Sequence, residues 1–133
     1  EYSVKLYMEE LKGQAKADLL QYQRWQVPLN TVKERGSDAQ VNQTVESFNT
    51  GTQYETIVYG KGALFFDELR QAMGVRPFKR FLQTYLNGHR YQIVTDDDFL
   101  AALHVLGKPD IVKLYQEWIG EPALQVSQPA GSN

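Results

Sequence analysis

The chain has 133 residues, a net charge of −2 and a hydrophobic content of 42%, which suits one compact domain around a single core. A mildly acidic balance with no basic run argues against a nucleic-acid surface. No stretch reaches the roughly 18 to 20 consecutive apolar residues that a membrane span needs. Cysteine is absent, which removes disulfides, thiolate nucleophiles and cysteine-held zinc together. His89 and His104 are the two histidines, so a zinc site built from this chain alone needs carboxylates to complete it. None of this fixes the compartment: a soluble protein of this composition is cytoplasmic or exported.

The first residues are already in helical rhythm. Val4, Leu6, Tyr7 and Leu11 supply an apolar face, and the pattern predicts a helix to about Gln26, bending near Gly13 and ending before Pro28. From Pro28 to Gly51 the composition turns to Asn, Thr, Ser, Gly and Gln. That stretch reads as a loop with a short helical turn around Ala39 to Glu46. Thr52 to Met73 is the strongest helical segment, with Val58, Gly62, Phe65, Phe66, Leu69 and Met73 at helical spacing and Gly74 as its stop. Arg76-Pro77-Phe78 restarts a helix carried by Phe78, Phe81, Leu82, Tyr85 and Leu86. Thr95 followed by Asp96, Asp97 and Asp98 is a capped helix start, closed by Gly107. Pro109 to Ile119 forms the last helix. Beyond Gly120 a tail over 121–133 has no periodicity and is expected to fray. With no alternation longer than Tyr91 to Val94, the prediction is all-α, about five or six packed helices in one unit over residues 1–120.

The segment Tyr54-Glu55-Thr56-Ile57-Val58-Tyr59-Gly60-Lys61-Gly62-Ala63 resembles the aminopeptidase N family of zinc metallopeptidases, the gluzincins. In that family a Tyr-x-Lys-Gly-Ala-like stretch follows the metal-binding motif. The order of Leu69-Arg70, Met73-Gly74, Phe78, Phe81-Leu82, Tyr85, Thr95, Asp98-Phe99 and Tyr115-x-x-Trp118 is similar too. Glu1-Tyr2 resembles the end of the family's Glu-Gly-x-Ala-Glu-Tyr segment. The resemblance spans residues 1 to about 120 and implies the helical lobe of a thermolysin-like peptidase domain.

The family binds zinc through a His-Glu-x-x-His helix and a Glu on the following helix. This sequence has no His-Glu-x-x-His. On the register above, all three ligands fall before Glu1, as does the family's amine-recognising segment. The expectation is therefore a fragment without metal ligands of its own, from a parent that holds zinc in its upstream half.

On this resemblance Tyr59 takes the family's catalytic tyrosine position, donating a hydrogen bond to the oxyanion that develops at the scissile carbonyl. Read without the resemblance, it is one of eight tyrosines and packs on a helix face. Tyr54 either lines the same cleft as a substrate-binding residue or packs. Gly60 and Gly62 are costly inside a helix and read as close packing against a metal-site helix. Lys61 reads as a solvated lysine. Asp96 to Asp98 lack the spacing of a calcium loop, so capping is preferred. His89 and His104 read as structural, and Trp25 and Trp118 as packing anchors.

The leading expectation is thus a piece of a zinc aminopeptidase that removes amino-terminal residues from peptides, inactive alone. Its partners are the peptide substrate and the upstream metal-binding half, with self-association of the fragment through an apolar patch near Tyr54, Val58 and the first helix. Two alternatives stand beside it: a helical protein-interaction module, for which no repeat of about 34 residues is found, and a homologue that kept the fold but lost its metal site.

Overall fold

The structure, a computed structural model, describes residues 1–120; the tail expected over 121–133 lies outside the described residues. Among the described residues the elements are helical, in agreement with the all-α prediction. They are α1 (Tyr2–Lys12), α2 (Gln14–Gln21), α3 (Val27–Glu34), α4 (Gly51–Tyr54), α5 (Gly62–Met73), α6 (Val75–Gly88), α7 (Asp96–Val105) and α8 (Pro109–Trp118). A π-helical stretch, Tyr22–Gln26, joins α2 to α3, and another, Glu55–Lys61, joins α4 to α5. Counted as continuous rods, the described residues form six.

Two glycines make the sharp reversals. Gly13 and Gly74 have φ of +85° and +84°, a region that side-chain-bearing residues enter at a cost. Each lets one helix end and the next begin with a single residue between them. Helix α7 starts on a capping box: the Thr95 hydroxyl accepts from the Asp98 amide while the Asp98 carboxylate accepts from the Thr95 amide. Asp98 is thus a capping group, as expected, with Asp96 and Asp97 beside it in the first turn.

Pro28 does not end the first helical region, contrary to prediction. It falls in the first turn of α3, directly after the π stretch Tyr22–Gln26. A proline inside a regular helix forfeits a hydrogen bond and clashes with the carbonyl four residues back; a local change of helical pitch is one way to admit it. The loop consequently begins near Gly36 rather than at Pro28, and its one short helical turn is Val45–Ser47, later than expected. The long helix around Lys61 opens earlier than Thr52, with Thr50 as the cap whose hydroxyl accepts from the Gln53 amide.

Helix α5 is the centre of the packing. Leu64, Phe65 and Leu69 are fully or nearly fully buried, alongside Trp25, Leu29, Ile57, Leu103 and Ile111. Phe65 and Tyr115 meet edge-to-face at 5.9 Å, and Phe99 stands against Phe65, Phe66, Phe81 and Tyr85. Such ring contacts add to burial about 0.5–1.5 kcal/mol apiece. Trp25 is an anchor, as expected, and Trp118 packs half-buried against the same core.

Helix α1 turns a different face inward from the one its apolar residues mark. Val4, Tyr7 and Leu11 are exposed, while Tyr2 and Lys5 are buried. The reason is Asp67 on α5. It is buried and accepts hydrogen bonds from Lys5 at 2.5 Å, Tyr2 at 3.4 Å, Gln21 at 3.3 Å and Gln71 at 3.1 Å. One helical turn further on, Arg70 makes a two-pronged pair with Glu9, both contacts 2.7 Å. A charge-centred seam, not a greasy one, holds α1 to α5.

Candidate active site

Tyr59 lies in the π stretch Glu55–Lys61, on the opposite side of the rod from the core residues Ile57 and Lys61. The residue is 49% exposed, so its ring is not sealed inside the helical core. It stands between two hollows. One, of about 430 Å³, is lined by Tyr59 with Glu1, Tyr2, Val58, Phe66 and Phe99. The other, of about 450 Å³, is lined by Tyr59 with Glu1, Arg24, Trp25, Thr52 and Glu55.

Tyr54 is brought to Tyr59 by the π geometry. In a regular helix, residues five apart point about 140° away from each other, since each turn takes 3.6 residues. The i→i+5 turn of a π-helix swings them toward one face. The two rings meet edge-to-face with centroids 5.7 Å apart, and Phe48 backs Tyr54 at 5.3 Å. The neighbouring Tyr59 phenol raises the pKa of the Tyr54 phenol above its ordinary value. The raised pKa keeps the Tyr54 phenol proton-bearing, able to donate a hydrogen bond.

Around them the site is polar on one side and apolar on the other. Glu1 reaches toward Arg24, which donates to it at 2.9 Å, and toward the Trp25 indole, which donates at 3.3 Å. Gly60 lies against the Trp25 backbone, and Gly62 faces Val41. The close packing expected of Gly60 is thus with the helix carrying Trp25, within this chain. Lys61 differs from its reading as a solvated side chain. It is buried and donates to the Asp38 carboxylate and the Ala39 carbonyl, both at 2.8 Å. It clips the loop 35–44 onto the rod beside Tyr59.

Neither histidine approaches this site. His89 is held by the Tyr85 carbonyl at 2.8 Å from Nδ1, and His104 is exposed on α7. Among the described residues no group of three His, Cys, Asp or Glu side chains is placed to hold a metal ion. These residues do not fit a zinc site by themselves, and no step below is routed through one. The signals that sequence reasoning missed are the π stretches and the Asp67 seam. The first leaves no compositional mark; the second pairs Lys5 with Asp67, 62 residues apart, and leaves no local one.

The helical rod thus presents an exposed phenol between two hollows, one of them bordered by Glu1 and Arg24. The chain belongs to peptidase family M1: the model of the M1 domain matches residues 2–118. It is similar to the protein of Sulfurisphaera tokodaii called "Probable aminopeptidase 2", at 33% identity over 78 residues, 56% of this chain and 10% of that one. It is also similar to "Tricorn protease-interacting factor F2" of Thermoplasma acidophilum, at 32% identity over 74 residues, 55% of this chain and 9% of that one. The match thus spans about a tenth of the length of these relatives. No solved structure matches the chain significantly. Among the described residues no helix is long and apolar enough to cross a membrane.

Proposed function

We propose that this chain supplies the transition-state-stabilising tyrosine of a zinc-dependent aminopeptidase, and that the metal ligands belong to protein outside it. The observation that carries the reading is the half-exposed Tyr59 phenol between two hollows, in the Tyr-x-Lys-Gly position of an M1 sequence. When the carbonyl of a bound peptide is attacked, its oxygen gains negative charge. A phenol fixed beside it donates a hydrogen bond that strengthens as that charge grows. Tyr54 supports this donor through its ring, and stands as the substrate-contacting candidate. Zinc, held by the metal-binding part, would supply the activated water.

The peptide is the substrate partner, and the metal-binding part of the same catalytic domain is the structural one. On this reading the 133-residue chain alone hydrolyses nothing. The test is hydrolysis of aminoacyl-p-nitroanilides by the whole enzyme and by the chain alone, each with and without a chelator. The expected result is chelator-sensitive hydrolysis by the whole enzyme and none by the chain. Metal-dependent hydrolysis by the chain alone, or none by the whole enzyme, contradicts it.

A further inference from the structure

We propose that the hollow between α6 and the α7–α8 turn binds an amphipathic organic anion, an acyl chain ending in a carboxylate. The hollow has a volume of about 610 Å³, inside the roughly 300–1,000 Å³ range of small-molecule sites. It shares no residue with either hollow beside Tyr59.

Its floor and its rim are chemically opposite. The floor is built from Met73 and Phe81, both buried, with Tyr85, Ala102 and Leu106 half-buried around them. The rim carries Arg76, Arg80 and Lys108, all exposed, and no Asp or Glu lines the hollow. In a chain with 16 acidic residues against 14 Lys and Arg, a rim of one sign departs from the average composition. Among the described residues none of these three cations has an ion-pair partner, whereas Arg24 and Lys113, also on the surface, are paired with Glu1 and Glu117.

Arg76 and Arg80 are one helical turn apart on the same face of α6, so both guanidinium groups reach one headgroup. A guanidinium fork matches a carboxylate with two parallel hydrogen bonds. The end wall is set by His89, whose ring lies 4.4 Å from that of Tyr85.

The same lining selects against a peptide. Apart from the cations and His89, its side-chain polar groups are the Thr84 and Tyr85 hydroxyls. A peptide backbone laid in the floor would leave amide groups without partners, at a cost an acyl chain does not have.

The test is calorimetric titration of the intact protein with sodium decanoate below its micelle concentration. Decyltrimethylammonium, a cation with the same chain, and a Glu-rich peptide serve as comparisons. Two variants at exposed positions accompany it: the double change Arg76→Glu and Arg80→Glu, and Thr84→Trp, which fills the hollow. Saturable one-to-one binding of decanoate is expected, weakened roughly tenfold or more by the charge reversal, weakened by Thr84→Trp, and absent for the cation. No saturable binding of decanoate, equal binding of the cation, tighter binding of the peptide, or an affinity unchanged in both variants would overturn the proposal.

Discussion

Gly60 stands against Trp25 so closely that a methyl group at Gly60 would lie 3.7 Å from the Trp25 Cα and 3.8 Å from its Cβ. Those are ordinary van der Waals distances, so one carbon fits and a larger group does not. Gly60→Ala is therefore expected to fold and to keep its melting temperature or gain a little, since Gly costs a helix up to about 1 kcal/mol against Ala. Gly60→Leu is expected to separate the two π-helical stretches and lower the melting temperature by several degrees. Thermal melts of the two variants check the pair; equal tolerance of Ala and Leu would contradict the contact.

The Asp67 seam gives a second expectation. Asp67→Ala leaves the buried Lys5 with only the exposed Asp18 carboxylate, 4.0 Å away, and breaking a buried pair costs about 3–5 kcal/mol. Val4→Ala, on the exposed side of the same helix, is expected to cost well under 1 kcal/mol. Urea unfolding of the two variants measures both, and comparable losses would mean that α1 is held by its apolar residues after all.

That contrast marks where the sequence was legible and where it was not. The capping box at Thr95 and Asp98, the stop at Gly74 and the aromatic faces of α5, α6 and α8 follow from local rules, and they are where expected. The inward face of α1 does not, because the buried Lys5 meets its hydrogen-bond acceptor, Asp67, 62 residues away. Lys61 is likewise buried because Asp38 and the Ala39 carbonyl meet it across the loop. Pro28 continues a helical region because a π stretch precedes it. Long-range polar pairing and changes of helical pitch leave no periodicity to read. Tyr59 was singled out through the family motif, and its exposure came only with the fold.

Acid should loosen the α1–α5 seam. At Asp67 burial alone raises the carboxyl pKa, but hydrogen bonding to Lys5, then charge attraction to it, then Gln21 and Gln71 outweigh this and leave it lowered. Arg70 lowers that of Glu9. Carboxyls with a depressed folded-state pKa contribute stability that is fully present above their unfolded values, about 4, and lost as pH falls through the folded ones. Stability should hold between pH 5 and 7 and fall below pH 4. In Asp67→Asn that acid slope should be shallower; a slope unchanged in this variant would assign it elsewhere.

Removing the cap of α7 should have a local effect. Thr95→Ala deletes the hydroxyl that accepts from the Asp98 amide, with an expected cost of about 1 kcal/mol. Amide hydrogen exchange should accelerate in the first turn of α7 while α5 keeps its protection. Uniform acceleration across both helices would contradict a local role.

The central claim rests on one hydroxyl, and Tyr59→Phe in the whole enzyme removes it while keeping the ring against Tyr54. Steady-state hydrolysis of an aminoacyl amide should show kcat reduced roughly 10²- to 10³-fold, about 2.7–4 kcal/mol of transition-state stabilisation, with KM little changed. A variant that keeps the wild-type kcat would contradict the account.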